Sequence, residues 1–159
     1  VHALMKDELF LTLSEKEQKA VTDRILEEVR GRMLEDIVLL ETMKAAGRHQ
    51  RVFKLQFADG EFDMVVYDRE QDCCKIYEVK HSGQQVSAQY RHLLDEEKCR
   101  LTEHRFGQIA ERTVLYRGEN MQLDNGVKYW NVEEYLQTWS EEMTLITEKK
   151  IGPDLGPVM

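Results

Sequence analysis

The chain has 159 residues, 42% of them hydrophobic and 33% charged, with only two prolines. That length suits one globular domain; the balance excludes a disordered or low-complexity chain, and no apolar run approaches the length of a membrane span. A net charge of −8 and a pI near 5.2 exclude a uniformly basic nucleic-acid binder, although a whole-chain average does not exclude a locally basic groove.

The lead-in, residues 1–13, lacks a basic leader followed by an apolar core, and its first residue is Val, so a longer parent protein stays open. Within it Leu9-Phe10-Leu11-Thr12-Leu13 reads as a strand or a simple approach to the first helix. That helix starts at Ser14, where Ser14 and Glu17 have the spacing of a capping box. Val21, Ile25, Val29, Met33, Ile37 and Leu40 then recur every three or four residues, which predicts an apolar stripe along the helix. Gly31 leaves open one long helix or two, and Gly47 predicts the end. Two acids stand out. Glu35 lies at the edge of the stripe and Glu41 nearer its middle, so the helical wheel alone makes Glu41 the more buried candidate.

Arg51 to Phe57 alternates as a half-buried strand does, and Ala58-Asp59-Gly60 is its turn. Gly60 to Tyr67 and Lys75 to His81 are predicted as two strands joined by the polar stretch Asp68-Arg69-Glu70-Gln71-Asp72. Asp63, Glu78 and Lys80 interrupt their apolar runs, and Glu78 and Lys80, two apart, project to the same side. Charge buried in strands needs a partner or a metal, so two carboxylates and a lysine on neighbouring strands point to a divalent-cation site with a basic group beside it. The same pattern also describes the solvated face of an antiparallel sheet.

A second helix is expected from about Gln84 to Arg100 or Glu103, then a strand from Ile109 to Arg117. Gly118-Glu119-Asn120 turns away, Asp124-Asn125-Gly126 marks a tight turn, and Val127 to Trp130 is a short strand. Asn131 and Glu134 have capping-box spacing ahead of a last helix through Trp139. Residues 141–159 show no packed element. Cys73, Cys74 and Cys99 lack CxxC spacing, so neither a disulfide framework nor a zinc site is expected, and reduced thiols fit a cytoplasmic protein. Together these elements predict an α/β fold: an α/β/α sandwich with a central mixed sheet of four to five strands over residues 14–140.

An acid in the first helix, an aspartate in the second strand and a Glu-x-Lys in the third, carried here by Met33-Leu34-Glu35-Asp36-Ile37-Val38, Gly60-Glu61-Phe62-Asp63 and Glu78-Val79-Lys80, resemble the PD-(D/E)XK or restriction-endonuclease-like superfamily. Residues Glu35 to Gly47 are also similar to the first helix of archaeal Holliday-junction resolvases, and that likeness selects Glu35 over Glu41. Together with His81-Ser82 and Val114-Leu115-Tyr116-Arg117-Gly118, the motifs resemble the C-terminal module of predicted prokaryotic AAA-type ATPases, over roughly residues 20–140. No phosphate-binding loop ending in Gly-Lys-Ser or Gly-Lys-Thr occurs in this sequence, and Phe62 stands where many members carry proline.

The resemblance implies a restriction-endonuclease-like core and Mg²⁺- or Mn²⁺-dependent hydrolysis of phosphodiester bonds in DNA. Asp63, Glu78, the Val79 carbonyl and Glu35 are then the expected metal ligands. Lys80 would position or deprotonate the attacking water and counter negative charge, and Gln89 would serve as an auxiliary amide at the metal or phosphate. His81 and Ser82 could touch a phosphate. The implied partners are nucleic acid and an N-terminal ATPase domain of the same protein. The alternative is a catalytically silent nuclease-fold module that regulates or assembles such an ATPase, and a plain α/β domain with Lys80 paired to Asp63 or Glu78 ranks third.

Overall fold

Ser14 starts the longest element of the fold. In the computed structural model, which describes residues 3, 6–139 and 141, the Glu17 carboxylate accepts the Ser14 N–H at 2.9 Å and Ser14 Oγ accepts the Glu17 N–H at 3.4 Å. The reciprocal cap satisfies two free donors, and the helix it starts, α2, runs unbroken through Gly31 from Glu15 to Ala45. Before it, where a strand or a lead-in was expected, Glu8–Leu11 form a short helix, α1. Asp7 explains the difference: its carboxylate accepts the N–H groups of Leu9 and Phe10, which favours a helical turn over an extended run.

The face that α2 turns to the core differs from the predicted stripe. Val38 and Thr42 are its buried residues, with Leu34 and Leu39 packed beside them. Val29, Met33, Ile37 and Leu40 are instead between 45% and 58% exposed. Apolar residues occupy two opposite sides of this helix, and periodicity alone does not say which side a sheet will cover.

Six strands form one mixed sheet in the order β1-β2-β3-β4-β6-β5, one more than the largest number expected. They are β1 (Gln50–Phe57), β2 (Gly60–Asp68), β3 (Cys73–Val79), β4 (Gln108–Tyr116), β5 (Met121–Gln122) and β6 (Val127–Asn131). β1, β2 and β3 form an antiparallel meander; β4 joins β3 in parallel and β6 joins β4 in parallel, while β5 is a short antiparallel edge.

Each face of the sheet carries its own apolar cluster. Val52, Met64, Val66, Tyr77, Val79 and Leu115 pack against Val38 of α2 and against Val132 and Tyr135 of α4, the helix over residues 132–139. Phe62, Val65, Ile76, Val114 and Tyr129 pack on the other face against Leu93 and Cys99. Helical elements thus cover both faces, and the chain is a mixed α/β fold. The tail expected over 141–159 lies outside the described residues beyond position 141. The three cysteines are free, and among the described residues no helix is long and apolar enough to cross a membrane.

The helix expected from Gln84 is displaced. Residues Ser87–Gln89 and His92–Leu94 form 3₁₀ turns, and α3 spans Glu96–Phe106. Asp95 sets that start, because its carboxylate accepts the Lys98 N–H at 2.9 Å. Gly107 stops the helix at a φ of 73°. A Cβ there would lie 1.9 Å from the Asp72 carbonyl oxygen, so the α3–β4 connection requires glycine for space as well as for conformation. At α4, Asn131 Oδ1 accepts from Glu133 and Glu134 N–H as expected of a cap. The reciprocal half is replaced: Asn120 takes both the Asn131 N–H and the Glu134 carboxylate.

Candidate metal centre

The site forms where the meander comes apart. The β2–β3 ladder has Met64↔Tyr77 as its last pair toward this end. One residue further, Asp63 Oδ2 accepts the Val79 N–H at 2.7 Å. A carboxylate thus satisfies a strand donor past the end of the ladder and is fixed in place by doing so.

A bulge positions the same aspartate from the other side. Between the pairs Phe53↔Val65 and Leu55↔Phe62, one residue of β1, Lys54, is set against two of β2, Asp63 and Met64. Such an insertion bends the strand and re-aims its side chains. Met64 packs into the cluster under α2, and Asp63 reaches Glu35 of α2 as well. Glu61, two residues before Asp63, shares its side of β2.

Glu35, Glu61 and Asp63 each offer a carboxylate oxygen, and these oxygens lie within 4.8 Å of one another. Asp63 is buried, whereas Glu35 and Glu61 are half-buried. Lys54 Nζ donates to Glu35 Oε2 at 3.1 Å, and Lys80 Nζ donates to Glu78 Oε1 at 2.8 Å. The second Glu78 oxygen, Oε2, is buried and has no hydrogen-bond partner. Four carboxylates against two ammonium groups leave a formal charge of −2. Two carboxylates at this spacing repel by roughly 3–4 kcal/mol at an effective dielectric of about 20.

The titration of these groups reflects burial first and that crowding second. Burial, followed by the Glu78 charge, pushes the Asp63 carboxyl up to about 7, against the pull of the Val79 N–H and Lys80. Burial also raises Glu78 and outweighs the opposing effect of Lys80. For Lys80 itself burial works downward, but the Glu78 carboxylate, with Asp63 and Glu35 behind it, outweighs burial and holds the ammonium above the ordinary lysine value. Lys80 is therefore a cation at neutral pH and a hydrogen-bond donor; its free base, which removing a proton from water would need, is scarce. Lys54 behaves alike: burial lowers it and Glu35 more than restores it.

The structure brings together Glu35, Asp63, Glu78 and Lys80. It places Val79 with them through its N–H, bonded to Asp63. Glu78 stands just outside the three-carboxylate cluster, held by Lys80. Gln89 is engaged elsewhere. Its amide accepts from the Val86 N–H and the Tyr129 hydroxyl and donates to the Gln84 carbonyl, which fixes the first 3₁₀ turn. His81 Nδ1 lies 3.6 Å from Glu27, and Ser82 caps its own loop by accepting the Gln84 N–H. Glu41 is exposed and pairs with Lys44 at 2.7 Å.

Sequence reasoning missed Glu61 and Lys54. The signal for Glu61 was present, since Glu61 and Asp63 are separated by one residue in a strand. Lys54 carried none, because its place depends on a bulge that no residue type announces. The unpartnered Glu78 oxygen, the excess of two negative charges and the all-oxygen donor set fit a hard divalent cation such as Mg²⁺ or Mn²⁺. Comparison of the chain with family models, with curated proteins and with solved structures finds no match.

Proposed function

We propose that Glu35, Glu61 and Asp63, with Glu78 behind them, hold Mg²⁺ or Mn²⁺, and that the chain is a metal-dependent nuclease domain acting on phosphodiester bonds of DNA. The observation that carries this reading is the convergence of three carboxylates from α2 and β2 beside a protonated lysine. The order of these groups along the chain, which resembles the PD-(D/E)XK superfamily and its restriction-endonuclease-like core, supports it. So does the resemblance to modules that follow an AAA-type ATPase, which makes the C-terminal part of a larger ATPase the proposed setting.

A bound divalent cation would supply an acidified water and would neutralise charge on a phosphate. The chain's own residues have distinct tasks. Asp63 must give up its proton before both of its oxygens can act as ligands, so cation affinity rises with pH across about 7. Glu78 keeps Lys80 charged and oriented. Lys80, as a fixed ammonium, binds a non-bridging phosphate oxygen and stabilises the charge that grows on it. Lys54 restrains Glu35 at the rim.

The test is incubation of the purified chain with single-stranded, duplex and branched DNA, with Mg²⁺ or Mn²⁺. Cleavage that requires the ion and is lost in Asp63→Asn and Lys80→Met supports the proposal. No cleavage of any substrate, or cleavage that survives Asp63→Asn, contradicts it. The silent-module reading is favoured by one observation, the net charge of −8 on a chain whose substrate would be a polyanion. Cation binding with no cleavage is the result that selects it.

A further inference from the structure

On the face of the sheet away from α2, Lys98 of α3 is almost cut off from solvent, at 4% exposed. A lysine is seldom so buried unless it is paired. Its ammonium donates to the Asp59 carbonyl at 3.3 Å and to His92 Nδ1 at 3.1 Å. The carboxylates of Asp59 and Asp95 lie further off, at 3.5 and 3.9 Å, and with side chains 82% and 40% exposed they stay hydrated. The carbonyl and the imidazole are therefore the partners that fix the ammonium. Both bear on the tip of the β1–β2 hairpin. Asp59 is in its turn, and the His92 ring packs on Gly60, where a Cβ would lie 3.4 Å from His92 Cε1 and 3.8 Å from Lys98 Nζ.

The next residue along the chain is Glu61, and it is the carboxylate of the cluster with the least support of its own. Glu35 is held by Lys54, Asp63 by the Val79 N–H and Glu78 by Lys80. Among the described residues no hydrogen bond or ion pair holds the Glu61 carboxylate, so its place depends on where its backbone stands. That backbone has a strand on one side only. The β2–β3 ladder ends at Met64↔Tyr77, and Gly60, Glu61 and Phe62 pair with β1 alone, through Phe57, Gln56 and Leu55. Only Ala58 and Asp59 separate the pair Phe57↔Gly60, so a shift of Asp59 passes to Glu61 within two residues. A site built on a strand end needs a supporting shell to hold its ligands in register.

We propose that Lys98 and His92 are positioning residues for the metal centre: they clamp Asp59 and Gly60 from the far face of the sheet and so hold Glu61 within reach of Glu35 and Asp63. The inference rests on the reading of Glu61 as a cation ligand. It assigns a task to a buried cation that the proposed chemistry leaves unused.

The experiment is titration of the full chain with Mn²⁺ at pH 8 into the millimolar range, read by the free-ion electron paramagnetic resonance signal, with circular dichroism and urea melts to follow folding. Lys98→Met keeps the apolar stem and removes the donors; the carboxylates it leaves behind are hydrated, so the variant is expected to fold. It is expected to bind Mn²⁺ about fivefold more weakly than wild type, short of the tenfold or more that follows loss of a group bonded directly to a ligand. His92→Ala removes only a half-buried ring, and it carries the test where Lys98→Met does not fold. It is expected to weaken binding about two- to fivefold. In the Glu61→Gln background, either substitution is expected to change affinity by less than about twofold, because the side chain they position no longer binds. A Lys98→Met or His92→Ala protein that folds and binds as wild type does overturns the proposal and leaves the metal centre standing. So does a loss of affinity equally large with and without Glu61, which a general loosening of the fold would produce. A wild type that takes up no Mn²⁺ defeats the metal reading itself, and this inference with it.

Discussion

Asp63 and Val79 are joined by a carboxylate–amide hydrogen bond of 2.7 Å across the open end of the β2–β3 ladder. That bond fixes a buried acid at the point where the strands part, with Glu35 and Glu61 on one side and the Glu78–Lys80 pair on the other. The electrostatics of the site result from it. Held in place, Asp63 can swing neither out of its buried position nor away from its acidic neighbours, so it offsets the cost of burial and, after that, their repulsion by keeping a proton or, in the proposed metal-bound state, by sharing a cation with them.

Neutralising Asp63 should stabilise the metal-free protein at alkaline pH. Its folded pKa, about 7, lies above the unfolded value near 4. A raised carboxyl binds more protons folded than unfolded, so stability falls as pH rises between those values, and the cost is complete above about 7. Asp63→Asn keeps an acceptor for the Val79 N–H and removes the charge. Urea melts at pH 8 are expected to show it more stable than wild type by on the order of 2–3 kcal/mol, the advantage shrinking as pH falls toward 4. A variant less stable than wild type at pH 8 would show that burial and the neighbouring carboxylates do not penalise the Asp63 charge as described.

Removing the rim cation should tighten metal binding. Lys54 donates to Glu35 at 3.1 Å and so competes for a ligand of the cluster. In calorimetric titrations at pH 8, Lys54→Met is expected to bind Mn²⁺ severalfold more tightly than wild type. Weaker binding would place Lys54 as a support that Glu35 needs.

Gly107 should resist substitution. Its φ of 73° is unfavourable for any residue with a Cβ, and that Cβ would meet the Asp72 carbonyl oxygen at 1.9 Å. Gly107→Ala is expected to cost on the order of 3 kcal/mol or more, read as a fall in the thermal midpoint of about 5 °C or more. Gly31, by contrast, has nothing within 4 Å of its would-be Cβ. In mid-helix, Gly31→Ala is expected to gain about 0.5–1 kcal/mol.

The seam between α2 and α4 has its own test. The Tyr135 hydroxyl and Thr42 Oγ1 form a buried hydrogen bond of 2.8 Å, and Thr42 also donates to the Val38 carbonyl. Tyr135→Phe leaves Thr42 its backbone partner, so the loss should be about 1 kcal/mol, or roughly 2–4 °C in melting temperature. A loss several times larger would mean that the hydroxyl organises more of this face than the single bond indicates.

Much of this architecture was legible in the residues. Ser14 and Glu17 announced the start of α2, alternation announced β1, and the β2–β3 hairpin with Asp63, Glu78 and Lys80 stood out because charge inside an apolar strand demands an explanation. What escaped were the features decided by tertiary contact. The wheel favoured Glu41 because it took the Met33–Ile37–Leu40 side as the core side; the sheet covers the Val38–Thr42 side instead, which leaves Glu41 exposed and Glu35 beside Asp63. The apolar positions from Val86 to Leu94 looked helical, but the Gln89 amide and the Asp95 cap hold that stretch in 3₁₀ turns. Lys54 entered the site through a strand bulge that sequence does not signal.

Whether these carboxylates share one cation is decided by titrating the metal-free chain with Mn²⁺ at pH 8 and following the loss of the free-ion electron paramagnetic resonance signal. Wild type is expected to take up a single saturable ion per chain, with binding weakened at least about tenfold, some 1.4 kcal/mol, in each of Glu35→Gln, Glu61→Gln and Asp63→Asn, and unchanged in Glu41→Gln. No saturable uptake, or uptake indifferent to all three substitutions, would contradict a metal centre at this cluster.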